Sequence, residues 1–534
     1  MEYKVCIQAA GIGSRLRIGK GLHKALIPIK KKAILSRIID LFPKKTSFVI
    51  LVGYKKDQVI SFIKAKHSDI NVNFVDVKKF TGKGSGPGYS LLQAKKYLQQ
   101  PFIFMACDTI VFERPPLPRI NWIGVSKAKS SKDYLIIELN KKSMSGYYDK
   151  KSENFIYSKS KQYKKKSNKV FDAFIGLAGI NNYENFWNGL SKNRELHNNE
   201  LQVSNGFNSI LEKNNTINVI DFKWIDTGSD ENYSNARNFF KDNFLLKNDE
   251  FFYNDRKKII KLFLDESKAK KRFQRSEYIR SIVPKTYISG SNIIWYYLVK
   301  GSLLSNTKDQ KIFVNFCNFL QKKIWSKRIN NESRIPELNQ KTMSFYKHKT
   351  YKRVNDYISK NKEADKALYI NNRPIDPIHK LLSKVDWINL SKGHYTYFHG
   401  DPQPENVIVT GNNKFTMIDW REDFGDDLEY GDIYYDLGKI YHSLIITQKK
   451  IREEKYFVSY EGDFAQYKFE KRRNLIQYLN YFEKFILTKK YDLKKVKIIS
   501  ALIYLNIAAL HHHPYSDLLF FHGKLSLSEL LKEN

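Results

Sequence analysis

Residues 3–16, YKVCIQAAGIGSRL, run from an apolar stretch straight into a glycine-bearing turn. Residues 3–10 read as a buried strand, and 49–53, 72–77, 102–106 and 122–126 are further short apolar runs separated by helical or turn-like stretches. That alternation predicts an α/β fold on a mostly parallel sheet. In the turn, Gly11, Gly13 and Ser14 are small enough for backbone N–H groups to close on a phosphate chain, and Arg15 adds a fixed charge. The dinucleotide fingerprint is not met, because its third glycine falls on Leu16.

The chain has 534 residues, enough for two or three domains with cores of their own. With 42% hydrophobic and 14% aromatic residues, 26 Gly and 14 Pro, it is neither collagen-like, low-complexity nor wholly disordered. Its three cysteines, Cys6, Cys107 and Cys317, sit among apolar residues, give no disulfide framework and fit a reducing compartment. The opening MEYKVCIQAAG lacks the marks of a secretory leader, and no run approaches the ~18 apolar residues that span a bilayer. A cytoplasmic location without membrane insertion is the expectation. Lys and Arg number 92 against 55 Asp and Glu, a net charge of +37. The excess is spread along the chain, with only short clusters such as 164–166, so it suits phosphorylated small molecules and predicts no nucleic-acid partner. The oligomeric state is left open.

A polar, Lys- and Ser-rich stretch from 141 to 169 reads as an insertion, after which AFIGLAGI (173–180) resumes a strand and a helix near Phe240 closes the sheet domain. From Ile259 the pattern changes to a strand (IIKLFL, 259–264), a basic helix carrying Glu277, and a strand pair around 283–299 with Gly290 in its turn. Long helical stretches follow. The expected domains are 1–245 and 246–534, the second with a small N-lobe at about 249–305 and a helical C-lobe at about 306–534.

Four further stretches carry chemistry in the first domain. HKALIPI (23–29) brings Lys24 thirteen residues after Gly11, ILVGYKKDQV (50–59) follows the second strand, FIFMACDTI (102–110) puts Asp108 at a strand end, and WIDTGSDENYSNA (224–236) carries Asp226. Nucleotidyl transfer brings an attacking phosphate to a nucleoside triphosphate, and the two polyanions repel until a divalent cation and basic side chains neutralise them. In this order the elements resemble the sugar-phosphate and phosphocholine nucleotidyltransferases, with His23 where proline is common in that family. The resemblance implies a Rossmann-like (GT-A-like) domain in which Asp108 and Asp226 hold Mg²⁺, while Arg15 and Lys24 steady the α-phosphate and the departing pyrophosphate. GKGSGPGYSLL (82–92) is a glycine-dense loop opening a helix. In the resembling family that stretch lies over the base and sugar, so Gly84, Ser85 and Gly86 are candidate nucleotide contacts. The extra Gly-Pro-Gly departs from the family pattern.

The second domain carries YFHGDPQPENVIVTGNNKFTMIDWRED (397–423). The stretch resembles the catalytic segment of the choline kinase and aminoglycoside phosphotransferase families, and the resemblance implies that Asp401 orients a substrate hydroxyl and accepts its proton and that Asn406, five residues on, ligates Mg²⁺. That resemblance implies a protein-kinase-like α+β fold, with Asp419, thirteen residues beyond Asn406, holding the same metals. It further implies that Lys261 and Glu277 clamp the ATP phosphates and that YYLVKGSLL (296–304) lies beside the purine. No glycine occurs between Gly228 and Gly290, so the loop before Lys261 is not the usual Gly-rich one. In EYGDIYYDLGKI (429–440), Asp432 and Asp436 are expected to brace the catalytic loop.

A kinase and a nucleotidyltransferase on one chain imply consecutive steps: phosphorylation of a small hydroxyl compound by ATP, then transfer of a nucleoside monophosphate from CTP or UTP to that phosphate. Surface-polysaccharide decoration is where the resembling families use such activated groups. An amino alcohol such as choline, with CTP, is the favoured substrate; Tyr434, Tyr435, Trp387, Trp420 and Trp295 are candidates for its aromatic cage. A sugar kinase with a sugar-phosphate uridylyltransferase competes, and would need polar donors near Asp401, where His511, His512 and His513 are candidates. From another class comes a basic nucleic-acid- or membrane-binding protein with inactive nucleotide folds. The five metal and catalytic residues speak against it.

Overall fold

The computed structural model describes residues 2–128, 133–148, 155–158, 170–192, 196–197, 199–244, 246–411 and 414–532. Much of the polar stretch at 141–169, including the 164–166 cluster, lies outside them. Two compact units form, one from Met1–Glu266 and Ile288–Trp295, the other from Ser267–Tyr287 and Tyr296–Asn534.

The first unit is built on a ten-stranded sheet. Its central strands are β1 (Lys4–Ala9), β2 (Ser47–Val52), β3 (Asn71–Asp76), β4 (Phe102–Ala106), β6 (Trp122–Ala128), β7 (Phe171–Ile180) and β8 (Asn218–Asp221), in the spatial order β8-β6-β7-β4-β1-β2-β3. β1 runs parallel to β2 and β4, β2 parallel to β3, and β8 parallel to β6; β7 is antiparallel to both its neighbours. Apolar runs serve here because both faces are buried: Val5, Ile7 and Ala9 enter one core, Cys6 and Ala10 the other. Short strands β5 (Thr109–Val111) and β9 (Trp224–Asp226) pair antiparallel, with Asp226 opposite Thr109. This pairing is what brings the last sequence motif back to the end of β4. Helix α1 (Lys56–Lys66) follows β2, and α2 (Pro87–Gln93) follows the glycine-dense loop.

The hairpin of β10 (Glu250–Asn254) and β11 (Lys258–Phe263) belongs to this unit. Phe251, Tyr253, Ile260 and Leu262 join the core that covers β1. The Tyr253 hydroxyl donates to the Leu26 carbonyl at 2.7 Å, its ring meets Phe62 edge-on at 4.8 Å, and Asp255 pairs with Lys66 on α1. Asp255 also accepts from the backbone N–H groups of Lys257 and Lys258 (3.0 and 2.7 Å), and Arg256 takes the left-handed conformation (φ 71°). The glycine-free turn is thus closed by an aspartate side chain, a turn chemistry that needs no glycine.

In the second unit the hairpin β12 (Val407–Thr410) and β13 (Lys414–Met417) pairs antiparallel, Val407 opposite Met417, and Ser302–Leu303 adds to its edge. Most of helix α3 (Glu266–Tyr278) belongs here. It buries Ala269, Ser276 and Arg275, whose guanidinium lies 3.8 Å from the centroid of the Phe398 ring and donates to the carbonyls of Phe398 and Leu428. Helices α4 (Lys349–Lys360), α5 (Ile433–Ile445) and α6 (Leu493–Ala508) contribute Val354, Tyr435, Ile499, Leu502 and Ile503 to one apolar core.

Candidate active sites

In the first unit the sequence motifs converge. The Lys24 ammonium donates to Asp108 Oδ2 at 2.8 Å. Burial opposes the Lys24 charge, but Asp108 outweighs it and keeps the amine protonated. Gly13 has φ 69°, and a Cβ there would lie 2.7 Å from Lys24 Cδ; the glycine is what lets the lysine pass beneath the loop. A Cβ on Gly228 would lie 3.1 Å from Asp226 Oδ1, 3.2 Å from Asp108 Oδ2 and 3.4 Å from Arg15 Nη2, so the three groups surround one glycine. Asp226 is held by the Gly228 N–H (2.8 Å), the Tyr134 hydroxyl (2.9 Å) and Asn232 Nδ2 (2.6 Å). Burial, and then the neighbouring Asp108, raise its pKa. Thr227 donates its N–H and hydroxyl to the Asp108 carbonyl, at 3.0 and 2.8 Å. His23 is fully buried, caps the turn at Lys24 by accepting the Ala25 N–H on Nδ1 (3.2 Å), and is held neutral by burial, its pKa pushed down to about 3. Gly11 is partly covered, and Ser14 and Arg15 are exposed on the same loop, Arg15 3.4 Å from Asp133.

The glycine-dense loop packs as a wall of the same unit. The Gly84 N–H donates to the Asn199 carbonyl (2.7 Å), Ser85 is buried with its hydroxyl on the Gly82 carbonyl (2.7 Å), and Leu201 donates back to the Ser85 carbonyl (2.7 Å). Gly86 has φ 117° and Pro87 opens α2 at a position where its missing N–H costs nothing. A Cβ on Gly88 would meet the Gln202 and Leu201 carbonyl oxygens at 2.6 and 2.8 Å. The extra Gly-Pro-Gly therefore serves close packing of α2 on residues 201–202. Gly88→Ala should lower stability by about 1–3 kcal/mol, because backbone rather than a flexible side chain must move; a thermal melt matching that of the parent chain would contradict this.

In the second unit Asp401 Oδ1 lies 2.9 Å from the Lys439 ammonium on α5, and Oδ2 accepts from Asn406 Nδ2 (2.9 Å) and Gln403 Nε2 (3.2 Å). Burial opposes ionisation, yet Lys439 dominates the balance and holds the Asp401 carboxyl below its ordinary value. Asn406 also donates to the Asp401 carbonyl (3.0 Å), and the Ile418 N–H donates to the Asn406 carbonyl (2.9 Å), tying the two ends of the hairpin. Asp419, at the exit of β13, is in the left-handed conformation (φ 62°) and shares a cavity wall with Asp401. Asp436 is fully buried and accepts from the N–H groups of His399 (2.9 Å) and Gly400 (2.7 Å) and from Trp325 Nε1 (3.1 Å); Asp432 accepts from the His394 N–H and the Tyr346 hydroxyl. Both aspartates brace the catalytic loop. Lys261 Nζ, in the first unit, lies 3.6 Å from Glu250 Oε1, while Glu277 is exposed on α3.

Asp401 and Asp419 open onto a cavity of about 300 Å³. Of the five cage candidates only Tyr435 lines it. Trp387 Nε1 donates to the Leu382 carbonyl and Trp420 Nε1 to the Arg272 carbonyl (both 2.9 Å), the Tyr434 hydroxyl accepts the Asp492 N–H, and Trp295 sits in the first unit under Lys258. His511, His512 and His513 are exposed, do not line the cavity, and His513 pairs with Asp517 at 2.6 Å. Of the candidates for an aromatic cage or for polar donors, Tyr435 alone is therefore at the cavity among the described residues, and Trp387 and Trp420 use their indole N–H groups on backbone carbonyls.

One arrangement thus lies at the end of an α/β sheet in the first unit, the other on a loop and hairpin of the second. Comparison with known proteins agrees. Residues 5–119 match the MobA-like NTP transferase domain and residues 358–469 match the phosphotransferase enzyme family. The chain thus carries a region of nucleotidyltransferase type followed by a region of phosphotransferase type. Over 248 residues it is 27% identical to the bifunctional protein GlmU of Methanococcus vannielii, covering 45% of this chain and 56% of that one. The chain spans about half the length of the curated GlmU relatives it matches. Solved structures similar to it include a putative glucose-1-phosphate thymidylyltransferase from Bacillus anthracis (16% identity, TM-score 0.36, 46% of this chain and 98% of that one). Another is the CTP:phosphocholine cytidylyltransferase of Streptococcus pneumoniae (16% identity, TM-score 0.35, 45% and 99%).

Proposed function

We propose that the second unit transfers the γ-phosphoryl group of ATP to the hydroxyl of a small molecule, and that the first transfers a nucleoside monophosphate from CTP or UTP to the phosphate so formed. The observation that carries this reading is that each unit, taken alone, gathers the charged groups its reaction needs: Lys24, Arg15, Asp108 and Asp226 in one, Asp401, Asn406 and Asp419 in the other.

In the kinase step the acceptor oxygen bonds to phosphorus as the bond from that phosphorus to the ADP oxygen breaks, and Asp401 takes the hydroxyl proton. Lys439 keeps Asp401 ionised and, with Asn406, fixes its orientation. In the nucleotidyl step an oxygen of the new phosphate attacks the α-phosphorus, and pyrophosphate leaves. Lys24 and Arg15 would neutralise charge that builds on the α-phosphate and the leaving group. Both carboxylate sets fit Mg²⁺: Asp108 and Asp226 crowd each other's charge, and Asn406 turns its nitrogen to Asp401, leaving its oxygen facing elsewhere. Asp108 and Asp226 would hold it in the first unit, Asn406 and Asp419 in the second. When bound, Mg²⁺ neutralises phosphate charge that the lysines and arginines leave uncompensated. The activated product would feed a group-transfer reaction of the kind that decorates surface polysaccharides.

The test is release of ADP and of pyrophosphate with Mg²⁺, ATP and CTP or UTP across a panel of hydroxyl compounds. ADP followed by pyrophosphate for one compound supports the reading; pyrophosphate release that does not depend on prior ADP formation contradicts the order of steps. The pH dependence follows from Asp401. Its folded pKa lies below the ordinary 3.8, so the base is ionised above that value and is lost only as pH falls through the depressed pKa. The kinase rate should therefore show no acidic limb between about pH 5 and 7; a limb centred near pH 6 would show that another group is the base.

A further inference from the structure

We propose that the acceptor phosphorylated in the second unit is an anion, a small hydroxyl compound carrying a carboxylate or phosphate group that binds Lys349, Arg353 and Arg421. This rests on the phosphotransferase reading of Asp401. The cavity beside Asp401 is lined by six cationic side chains, Lys268, Arg272, Lys349, Arg353, Arg421 and Lys439, against three carboxylates, Asp401, Asp419 and Glu422. Two of the cations are committed close by: Lys439 to Asp401 at 2.9 Å and Arg272 to Glu422 at 3.4 Å. Lys349, Arg353 and Arg421 form no ion pair within 4.0 Å among the described residues. Lys349 and Arg353 are one turn apart on α4 and so share a face, and Arg421 follows Asp419 by two residues.

These cations rest on apolar surface. The Lys349 ammonium is 3.9 Å from the Phe345 ring centroid and 5.4 Å from that of Tyr435, and the Arg421 guanidinium is 4.8 Å from Phe345. Away from bulk water their mutual repulsion is poorly screened. Burial, then Arg421, Lys439 and Arg353, push the Lys349 pKa well below its ordinary value. Asp401, Asp419 and Glu422 offset only part of this charge; like charges gathered in excess are costly to fold, and a ligand that brings further negative charge relieves that cost. A quaternary amine would add to the repulsion. A neutral sugar would leave it in place. Ile499, Leu502 and Ile503 on α6 close one wall, and a volume of about 300 Å³ is at the small end of ligand pockets, which favours a compact molecule.

The test compares ADP formation by the full chain with four matched acceptors: glycerol, glycerate, glycerol 3-phosphate and choline. It adds binding of each, with sulfate and acetate as plain anions, by thermal shift. The expected result is a kcat/KM at least about tenfold higher for glycerate or glycerol 3-phosphate than for glycerol or choline. Which of the two leads separates a carboxylate from a phosphate. Lys349→Met and Arg353→Met, which replace a buried or half-buried cation by an apolar chain, should each raise KM for the anionic acceptor about tenfold and leave KM for ATP unchanged. A rise in KM for ATP instead would assign the cations to the nucleotide and overturn the proposal. So would faster turnover of glycerol or choline. If none of the four is turned over, thermal stabilisation by the anions that both Met variants abolish supports the proposal, and its absence overturns it. Anion binding that persists while ADP never forms, with Asp401→Asn unchanged from the parent, would instead fail the phosphotransferase reading and leave the anion site standing.

Discussion

Asp401→Asn is expected to lower ADP formation by about 10³-fold or more while pyrophosphate release from a supplied phosphorylated acceptor continues at the parent rate. The amide cannot take the hydroxyl proton, and it removes the partner of Lys439, which then faces the catalytic loop unpaired. Asn406 and Gln403 can still donate to the remaining oxygen, so the loop should keep its shape. Parent-like melting with lost ADP formation separates a chemical defect from a structural one. Loss of both activities with the fold intact would contradict two independent sites.

Asp108→Asn should do the reverse. The substitution discards a negative oxygen 2.8 Å from Lys24 and leaves that part-buried ammonium without its counter-charge. It also relieves Asp226 of the like charge that raises its pKa, so the variant should fold, yet one of the two carboxylates that would hold Mg²⁺ becomes a neutral amide. Pyrophosphate release is expected to fall by about 10²–10³-fold with ADP formation unchanged. A variant that retains pyrophosphate release would remove Asp108 from the site. Mixing the two variants should restore the full sequence if the phosphorylated intermediate is released between the steps.

The motifs were legible because each ends a strand or opens a helix, where backbone geometry fixes the side chain. Asp108 follows β4, Asp419 follows β13, and Lys24 starts a helical turn capped by His23. Residues that support them were not legible. Lys439 lies on a helix far along the chain from Asp401, and one lysine has no distinguishing mark where Lys and Arg total 92. Tyr134 reaches Asp226 from far away in the chain, a meeting that only the folded unit creates, whereas Asn232 comes from the helix that follows Asp226. The sequence does not say which aromatic residues face a ligand: Trp387 and Trp420 are buried, and the indole N–H of each donates to a backbone carbonyl. On helix α3 the buried charged residue is Arg275, which bonds backbone carbonyls, and Glu277 is exposed. The boundary region lacks any glycine- or proline-rich linker, and the apolar faces of β10 and β11 join the first core without a compositional signal.

The most direct test follows the phosphorus atom. With ATP labelled at the γ-phosphate, unlabelled CTP or UTP, Mg²⁺ and the acceptor that supports ADP formation, the label should pass into the phosphorylated acceptor and then into the nucleotide-linked product, while the released pyrophosphate carries none. Asp401→Asn should leave the label in ATP, and Asp108→Asn should halt it in the phosphorylated acceptor. Label found in pyrophosphate, or never leaving the phosphorylated acceptor in the parent enzyme, would contradict the two consecutive transfers.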